Sequence, residues 1–357
     1  MIGVREQMRA AVYHGRRDVR IEHRPVPEPG PGELLVRVTR SGICGTDATE
    51  FEHGPRVFPV DRRNVASGHE GPMIMGHEFI GEVVGHGSGV TTEVGTRVAT
   101  GAGVSCGGCA WCLARRTNLC AHYWTLGLNS DGGLAHYAKV PESTCIEIPE
   151  GCSDDSASLA QPLAVGLHAA RRSGAGPEDT VVLMGAGAIG SFILCGMASR
   201  KIERIIAVDI ADSRLAVAAA LGATETVNVA GKEPVAAVTQ LLGGGASLVI
   251  EASGAEGAAQ RAVHMAARGG RVLLVGLPHR AQALDVADTT LHEVDMLTTV
   301  AHICSEDIPD ALALLTDGEI ADCLLDKVIG LDALVEQGLQ ALVAHTAEGK
   351  IVVDPWL

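Results

Sequence analysis

No apolar run in this chain reaches the roughly 20 residues that a helix needs to cross a bilayer. The first residues, Met1 to Gln7, lack the apolar core of a secretory leader, and Met8 is a second candidate start. Without either signal the expected location is the cytoplasm. Basic charge is also scarce. With 28 Lys and Arg against 43 Asp and Glu, the formal net charge is -15, which excludes an electrostatic footprint for nucleic acid or an anionic membrane. Aromatic residues make up only 3% of the chain, so side chains that would outline a ligand pocket are few and the shape of any ligand goes unread. Internal repeats, low-complexity tracts and long linkers are missing too.

What is present describes a globular protein with room for two domains: 357 residues, 46% hydrophobic and 20% charged. Cysteine is the informative residue. Of ten, four crowd between Cys106 and Cys120, and in a large chain without a leader such a cluster reads as a metal site rather than a disulfide framework. Cys106-Gly107-Gly108-Cys109-Ala110-Trp111-Cys112, then seven residues, then Cys120, brings four thiolates into one loop. Two-residue spacers let the sulfurs converge on one tetrahedral ion. Four thiolates close its coordination sphere, so the ion would be structural. An iron–sulfur cluster also uses four thiolates, but this spacing matches none of its familiar patterns.

Two further stretches carry candidate ligands. In Ser41-Gly42-Ile43-Cys44-Gly45-Thr46-Asp47, a cysteine stands between glycines with a hydroxyl and a carboxylate close behind. A lone cysteine would by default be a packed thiol; this setting favours a ligand. In Gly76-His77-Glu78, imidazole and carboxylate sit side by side, followed by strand-like Phe79 to Val84 and glycines at 81, 85, 87 and 89. Gly68-His69-Glu70 imitates that motif but has no strand after it, which leaves His77 as the candidate.

Short strands are expected at 10–13, 19–21, 33–38, 97–99 and 134–140, with a proline-rich loop at 25–32. Helical periodicity covers 156–172. Beyond Thr180 the pattern becomes alternating. Apolar Thr180 to Met184 runs into Gly185-Ala186-Gly187-Ala188-Ile189-Gly190 and a helix at 191–198; a strand at 205–208 ends at Asp209, nineteen residues after Gly190. Glycine pattern, flanking strand and helix, and an acid at this distance make a dinucleotide fingerprint. Asp209 would accept hydrogen bonds from ribose hydroxyls and repel a 2′-phosphate, which favours NAD over NADP. Further strands at 226–229, 247–250 and 271–275, with helices at 214–221, 234–242 and 258–267, imply a parallel sheet covered on both faces. A helix at 308–315 and a strand at 349–353 close the chain.

From about Met8 onward the sequence resembles the zinc-dependent medium-chain dehydrogenases, in particular the polyol branch of butanediol, sorbitol, threonine and glucose dehydrogenases. The carriers of the resemblance are Cys44, the glycine-spaced His77-Glu78, the four-cysteine loop, residues 127–137 with their Gly-Gly-x-Ala-x-Tyr-like approach, and the glycine loop. It implies an α/β chain with a GroES-like β-barrel-type catalytic domain from residues 1–158 and 300–357, and a Rossmann doubly wound domain over 159–299. It also implies two zinc ions per chain. Cys44 and His77 would bind the catalytic zinc, with Glu78 a third ligand or close behind, and Gln161 a ligand directly or through water; Cys106, Cys109, Cys112 and Cys120 would bind the structural one. Asp47 would orient His77, and Thr46 would bond the substrate hydroxyl and pass its proton outward as hydride moves to the nicotinamide. Ile189 and Arg214 join Gly185, Gly187, Gly190 and Asp209 as expected cofactor contacts.

Thr49 stands where many relatives carry a relay histidine, so the proton could leave through His53, the ribose hydroxyls or water. Gln161 replaces a common glutamate, as in some sugar-oxidising relatives, and tilts the expected substrate towards a polyol, sugar or sugar-derived secondary alcohol. The alternatives are a simple secondary alcohol, butanediol or threonine substrate, and a non-catalytic cofactor-binding protein of the same fold. A zinc-free quinone reductase would lack Cys44 and the four cysteines. The expected assembly is a homodimer or homotetramer.

Overall fold

A computed structural model describes residues 5–278 and 280–357, so the leader reading above falls partly outside the described residues. The chain divides into two compact units, Met1–Gln161 with His302–Leu357, and Pro162–Ala301. No described helix is long and apolar enough to cross a membrane.

The first unit opens with strands β1 (Gln7–Gly15), β2 (Asp18–Pro25) and β3 (Glu33–Gly42), helix α1 (Gly45–His53), and strands β4 (Met73–Ile74), β5 (Glu78–His86) and β6 (Arg97–Thr100). The cysteine loop follows, with β7 (Gly103–Val104), α2 (Ala110–Leu113) and β8 (Trp124–Thr125), then β9 (Tyr137–Pro141), β10 (Cys145–Glu147) and α3 (Asp154–Ala157). β3 is the hub. It pairs antiparallel with β5 and β9 and, near its end, with a strand from the far end of the chain. Leu34, Val36, Val38, Phe79, Val83 and Val98 are buried together along this sheet, each such side chain stabilising by about 1.5–3 kcal/mol when fully buried.

Helix α4 (Ala160–Arg172) leads into the second unit from Pro162, and β11 (Thr180–Met184), α5 (Ala188–Ser199), β12 (Arg204–Asp209), α6 (Asp212–Ala220), β13 (Glu225–Asn228), α7 (Pro234–Leu242), β14 (Ala246–Glu251), α8 (Ala258–Met265), β15 (Ala266–Leu274), α9 (Val286–Leu291) and β16 (Asp295–Thr298) follow within it. Its six strands lie in the order β13-β12-β11-β14-β15-β16, every neighbouring pair parallel. That is the doubly wound dinucleotide-binding order. α10 (Cys304–Leu315), α11 (Glu319–Leu324), β17 (Leu325–Gly330), α12 (Gln340–Val343) and β18 (Lys350–Asp354) return to the first unit, where β18 pairs with both β17 and β3.

Most expected elements are present with ends shifted by a few residues, and three of the differences have a local physical reason. The helix at 156–172 is two helices, because the ring of Pro162 clashes with the carbonyl of Ser158 in a continuous one. The helix expected to reach Ala267 stops at Met265, where β15 begins by pairing Ala266 with Ala246. The helix expected from Ile308 starts at Cys304 because the Asp307 carboxylate caps it, accepting from Ile303 N at 2.6 Å.

Candidate metal centres and glycine loop

Cys44 lies two residues past the end of β3 and is the N-cap of α1. Ile43 N donates to Ile351 O at 3.0 Å, fixing where the strand ends. Asp47, fully buried in the first turn, accepts from Cys44 N at 2.9 Å with Oδ2, while its Oδ1 lies 3.6 Å from His77 Nδ1. One carboxylate therefore sets the geometry of both candidate ligands.

His77 is placed by the loop at 127–133. Gly132 N, Gly133 N and Leu134 N donate to Ile74 O, Gly76 O and Met75 O at 2.8–2.9 Å. The approach is so close that a Cβ on Gly127 or Gly132 would fall 2.1 Å from Gly76 O. Glu78 is buried opposite Gly42 in the β3–β5 ladder, where a Cβ would come 2.4 Å from Glu78 Oε2. The ligand atoms of Cys44, His77 and Glu78 lie within 4.8 Å of one another.

These residues fit a cation. His77 Nδ1 and Asp47 Oδ1 are buried without a hydrogen-bond partner. Burial works against a charged His77, but Asp47 and then Cys44 outweigh it and hold its pKa well above the ordinary range. A negative field of this kind, built from thiolate, imidazole and carboxylate donors, suits zinc.

Sequence reasoning missed Lys350. At the start of β18 its buried ammonium forms an ion pair with Glu78 Oε2. Burial opposes its charge, yet Glu78 foremost, with Cys44 and Asp47, raises its pKa. The available signal was a lysine entering an apolar strand, Ile351 to Val353, with no loop between them.

Thr46 Oγ1 lies 3.8 Å from Cys44 Sγ. Thr49 is half-buried on α1, and His53 ends that helix. Gln161 is half-buried in the first turn of α4. His69 lies in the loop before β4, its Nε2 3.2 Å from Gly71 O, apart from the Cys44 group.

In the cysteine loop the sulfurs of Cys106, Cys109, Cys112 and Cys120 also lie within 4.8 Å of one another. Cys109 and Cys112 Sγ are 3.5 Å apart, and all four are free thiols. Cys120 Sγ accepts from Cys106 N at 3.2 Å and His122 N at 3.3 Å. Backbone N–H groups of Ala121 and Cys112 pull Cys109 down to about 6, and those of Gly108 and Cys109 lower Cys106, whereas burial pushes Cys120 up to about 11. Convergent sulfurs, two already disposed to ionise, are what a tetrathiolate ion requires.

The glycine loop leaves β11 at Gly185, with φ +93°. A Cβ on Gly190 would meet Gly185 O at 2.0 Å, whereas Gly187, capping α5, has open space within 4 Å of where its Cβ would be. That open position at a helix N-terminus fits a pyrophosphate. Asp209 is buried at the end of β12. Its Oδ2 accepts from Ala186 N at 2.8 Å, and its Oδ1 from Ile210 N at 2.8 Å and Ala211 N at 3.0 Å. Arg214 on α6 lies 3.8 Å from Asp209 Oδ1, and Ile189 is half-buried in the first turn of α5.

Residues 30–150 match the alcohol dehydrogenase GroES-like domain, and residues 188–317 match the zinc-binding dehydrogenase family. The chain is 30% identical to (R,R)-butanediol dehydrogenase of Bacillus subtilis over 351 residues, covering 98% of this chain and 100% of that protein. It is 33% identical to sorbitol dehydrogenase of the same organism over 82% of each. The crystal structure of 2R,3R-butanediol dehydrogenase from B. subtilis superposes with a TM-score of 0.89 at 30% identity, over 98% of this chain and 99% of that one. A short chain alcohol dehydrogenase from Escherichia coli CFT073 complexed with NADH gives 0.88 at 25% identity over 98% and 99%. A putative zinc-binding dehydrogenase from Sinorhizobium meliloti 1021 bound to NADP gives 0.87 at 28% over 98% and 100%.

Proposed function

This chain belongs to the zinc-dependent medium-chain alcohol and polyol dehydrogenases, and within that family we propose an NAD-dependent oxidation of a polyol, sugar or sugar-derived secondary alcohol to a ketone. The observation that carries it is the convergence of Cys44, His77 and Glu78 within 4.8 Å, beside Thr46. These three residues, with Gln161, would hold a catalytic zinc, and the four cysteines a structural one. Bound zinc supplies a Lewis acid for the alcohol oxygen, and NAD supplies the hydride acceptor. The Thr46 hydroxyl takes the substrate proton and passes it outward. Asp47 holds the Cys44 backbone and faces His77, and Lys350 restrains Glu78. In the second unit the glycine loop and the N-terminus of α5 receive the pyrophosphate. Asp209 selects NAD by disfavouring a 2′-phosphate, with Ile189 and Arg214 beside it.

Gln161 and the similarity to sorbitol dehydrogenase support a polyhydroxylated substrate. A second reading, a butanediol-type or simple secondary alcohol, is favoured by the end-to-end match to butanediol dehydrogenase. Self-association through the outer edge of β16 is proposed as well. Among the described residues β16 pairs only with β15, and Leu291 and Val300 near it are exposed. The location proposed is the cytoplasm.

Purified protein should yield two zincs per chain and NADH from a panel of polyols and diols, with NADP a poorer acceptor. Equal turnover with NADP would remove the role given to Asp209. Zinc-replete protein without turnover on any panel member would remove the substrate class.

A further inference from the structure

In the second unit the chain leaves β11 to one side and later returns to β14 on the other, so the C-terminal ends of β11 and β14 flank a topological switch point. Ligands of open parallel sheets bind outside the strand ends at such a point. β11 ends in the glycine loop. β14 ends in Glu251, level with Met184 across the ladder and only 3% exposed.

Glu251 joins three loops. Its Oε1 accepts from Ser253 N at 2.7 Å, from Gly254 N at 3.0 Å and from the Ser253 hydroxyl. Its backbone carbonyl accepts from Val275 N at 2.8 Å and Gly276 N at 2.9 Å, which anchors the segment after β15. A Cβ on Gly276 would come 2.6 Å from Glu251 Oε2 and 2.3 Å from Gly254 N, so that segment lies directly on the carboxylate. Ala252 N donates to Met184 O at 2.9 Å and ties the β14 loop to the last residue of β11. Ser253, held this way, is the wall behind the glycine loop: a Cβ on Gly185 would lie 2.9 Å from Ser253 N, Cα and Cβ alike. From the opposite side Asp209 holds Ala186 N.

Taking the glycine loop as the dinucleotide site, we propose that Glu251 is a positioning residue for dinucleotide binding. Through Ser253 it sets the place of Gly185, so that Asp209 and Glu251 grip the loop from the two strands flanking β11. A bound pyrophosphate gains from backbone N–H groups already aimed at it, and a loop free to shift would have to be ordered by the ligand at a cost in affinity. The work is done by acceptor geometry rather than by charge, since all three side-chain contacts fall on one oxygen that an amide oxygen can replace.

The test is fluorescence titration with NADH or NADPH, whichever the wild type binds more tightly, together with steady-state kinetics. Glu251→Ala should weaken binding about tenfold, the scale expected when two or three hydrogen bonds of ordinary neutral strength to one positioning oxygen are lost together. KM for the dinucleotide should rise with it, kcat should change little, and zinc content not at all, since both zinc sets lie in the other unit. Glu251→Gln should restore affinity to near wild type. Unchanged affinity in Glu251→Ala overturns the proposal, as does Glu251→Gln binding as weakly as Glu251→Ala. Should Glu251→Ala fail to fold, Ser253→Gly removes the Cβ of the wall together with the hydroxyl that Glu251 holds, leaving that backbone freer to move, and wild-type affinity in that variant overturns it equally. A wild type that binds neither dinucleotide removes the underlying reading of the glycine loop instead, an outcome distinct from either of these.

Discussion

Lys350 and Glu78 bury opposite charges side by side, their side chains 7% and 2% exposed. This is no surface pair worth a few tenths of a kcal/mol: each charge depends on the other to be tolerated, and a bound cation could stand in for the lysine beside Glu78 but not for the glutamate beside Lys350. Gly42 keeps the space they occupy, since a Cβ there would press on Glu78 Oε2 and come 3.1 Å from Lys350 Cε. Lys350→Met removes the ammonium while keeping much of the volume and leaves the carboxylate buried alone. In zinc-depleted protein it should cost about 3–5 kcal/mol of stability, the scale for breaking a buried pair from one side. With zinc restored the loss should shrink, because Glu78 then has a second positive neighbour. Denaturant unfolding with and without zinc measures both values. An equal loss in the two states would show that Glu78 gains nothing from the metal.

At the scale of elements, the loop at 127–133 does most to place the candidate site, because its backbone lies against the segment that ends in His77. Gly132→Ala would put a methyl carbon 2.1 Å from a backbone carbonyl, and backbone cannot swing aside as a side chain can. His77 should shift, and zinc content should fall from two ions to one, the four-cysteine site staying filled. Retention of both zincs with normal turnover would mean that the loop does not set His77. How much of this the sequence could show differs by element. The alternating strands and helices after Thr180 were legible because each buried strand is a short apolar run punctuated by glycine or an acid, and Gly185 to Asp209 carries its spacing within one βαβ unit. The cysteine loop was legible for the same reason: its ligands are neighbours in the chain. Lys350 was not, since its partner lies 272 residues away by number and only the pairing of β3 with both β5 and β18 brings them together. The break between α3 and α4 escaped because a proline within the first turns of a helix is compatible with either one helix or two.

Across the whole molecule, the candidate metal ligands Cys44, His77 and Glu78 and the four cysteines fall in one unit, and the glycine loop with Asp209 and Glu251 in the other. Each unit has a core of its own: Tyr13, Phe58, Met73 and Ile351 among others in the first, Val182, Ile206, Val249 and Val272 in the second. A ligand stabilises the structure it binds by RT ln(1 + [L]/Kd), about 2.7 kcal/mol at a hundredfold excess over Kd. Such stabilisation reaches a segment only as far as that segment opens together with the site. Zinc and dinucleotide should therefore protect different parts of the chain. In hydrogen exchange, NADH should slow the amides of β11, β12 and β14, including Ala186, Ser253 and Gly276, and leave residues 106–120 unchanged. Chelation should speed exchange at 106–120, in α1 and around Gly76, where the ligands lose the ion that neutralises them, and leave β12 and β13 as they were. Both treatments would have to be read in protein whose zinc content is measured alongside. If chelation instead released the parallel sheet of the second unit as fully as the cysteine loop, the two units would open as one body. The separation of metal and dinucleotide binding would then describe their location but not their energetics.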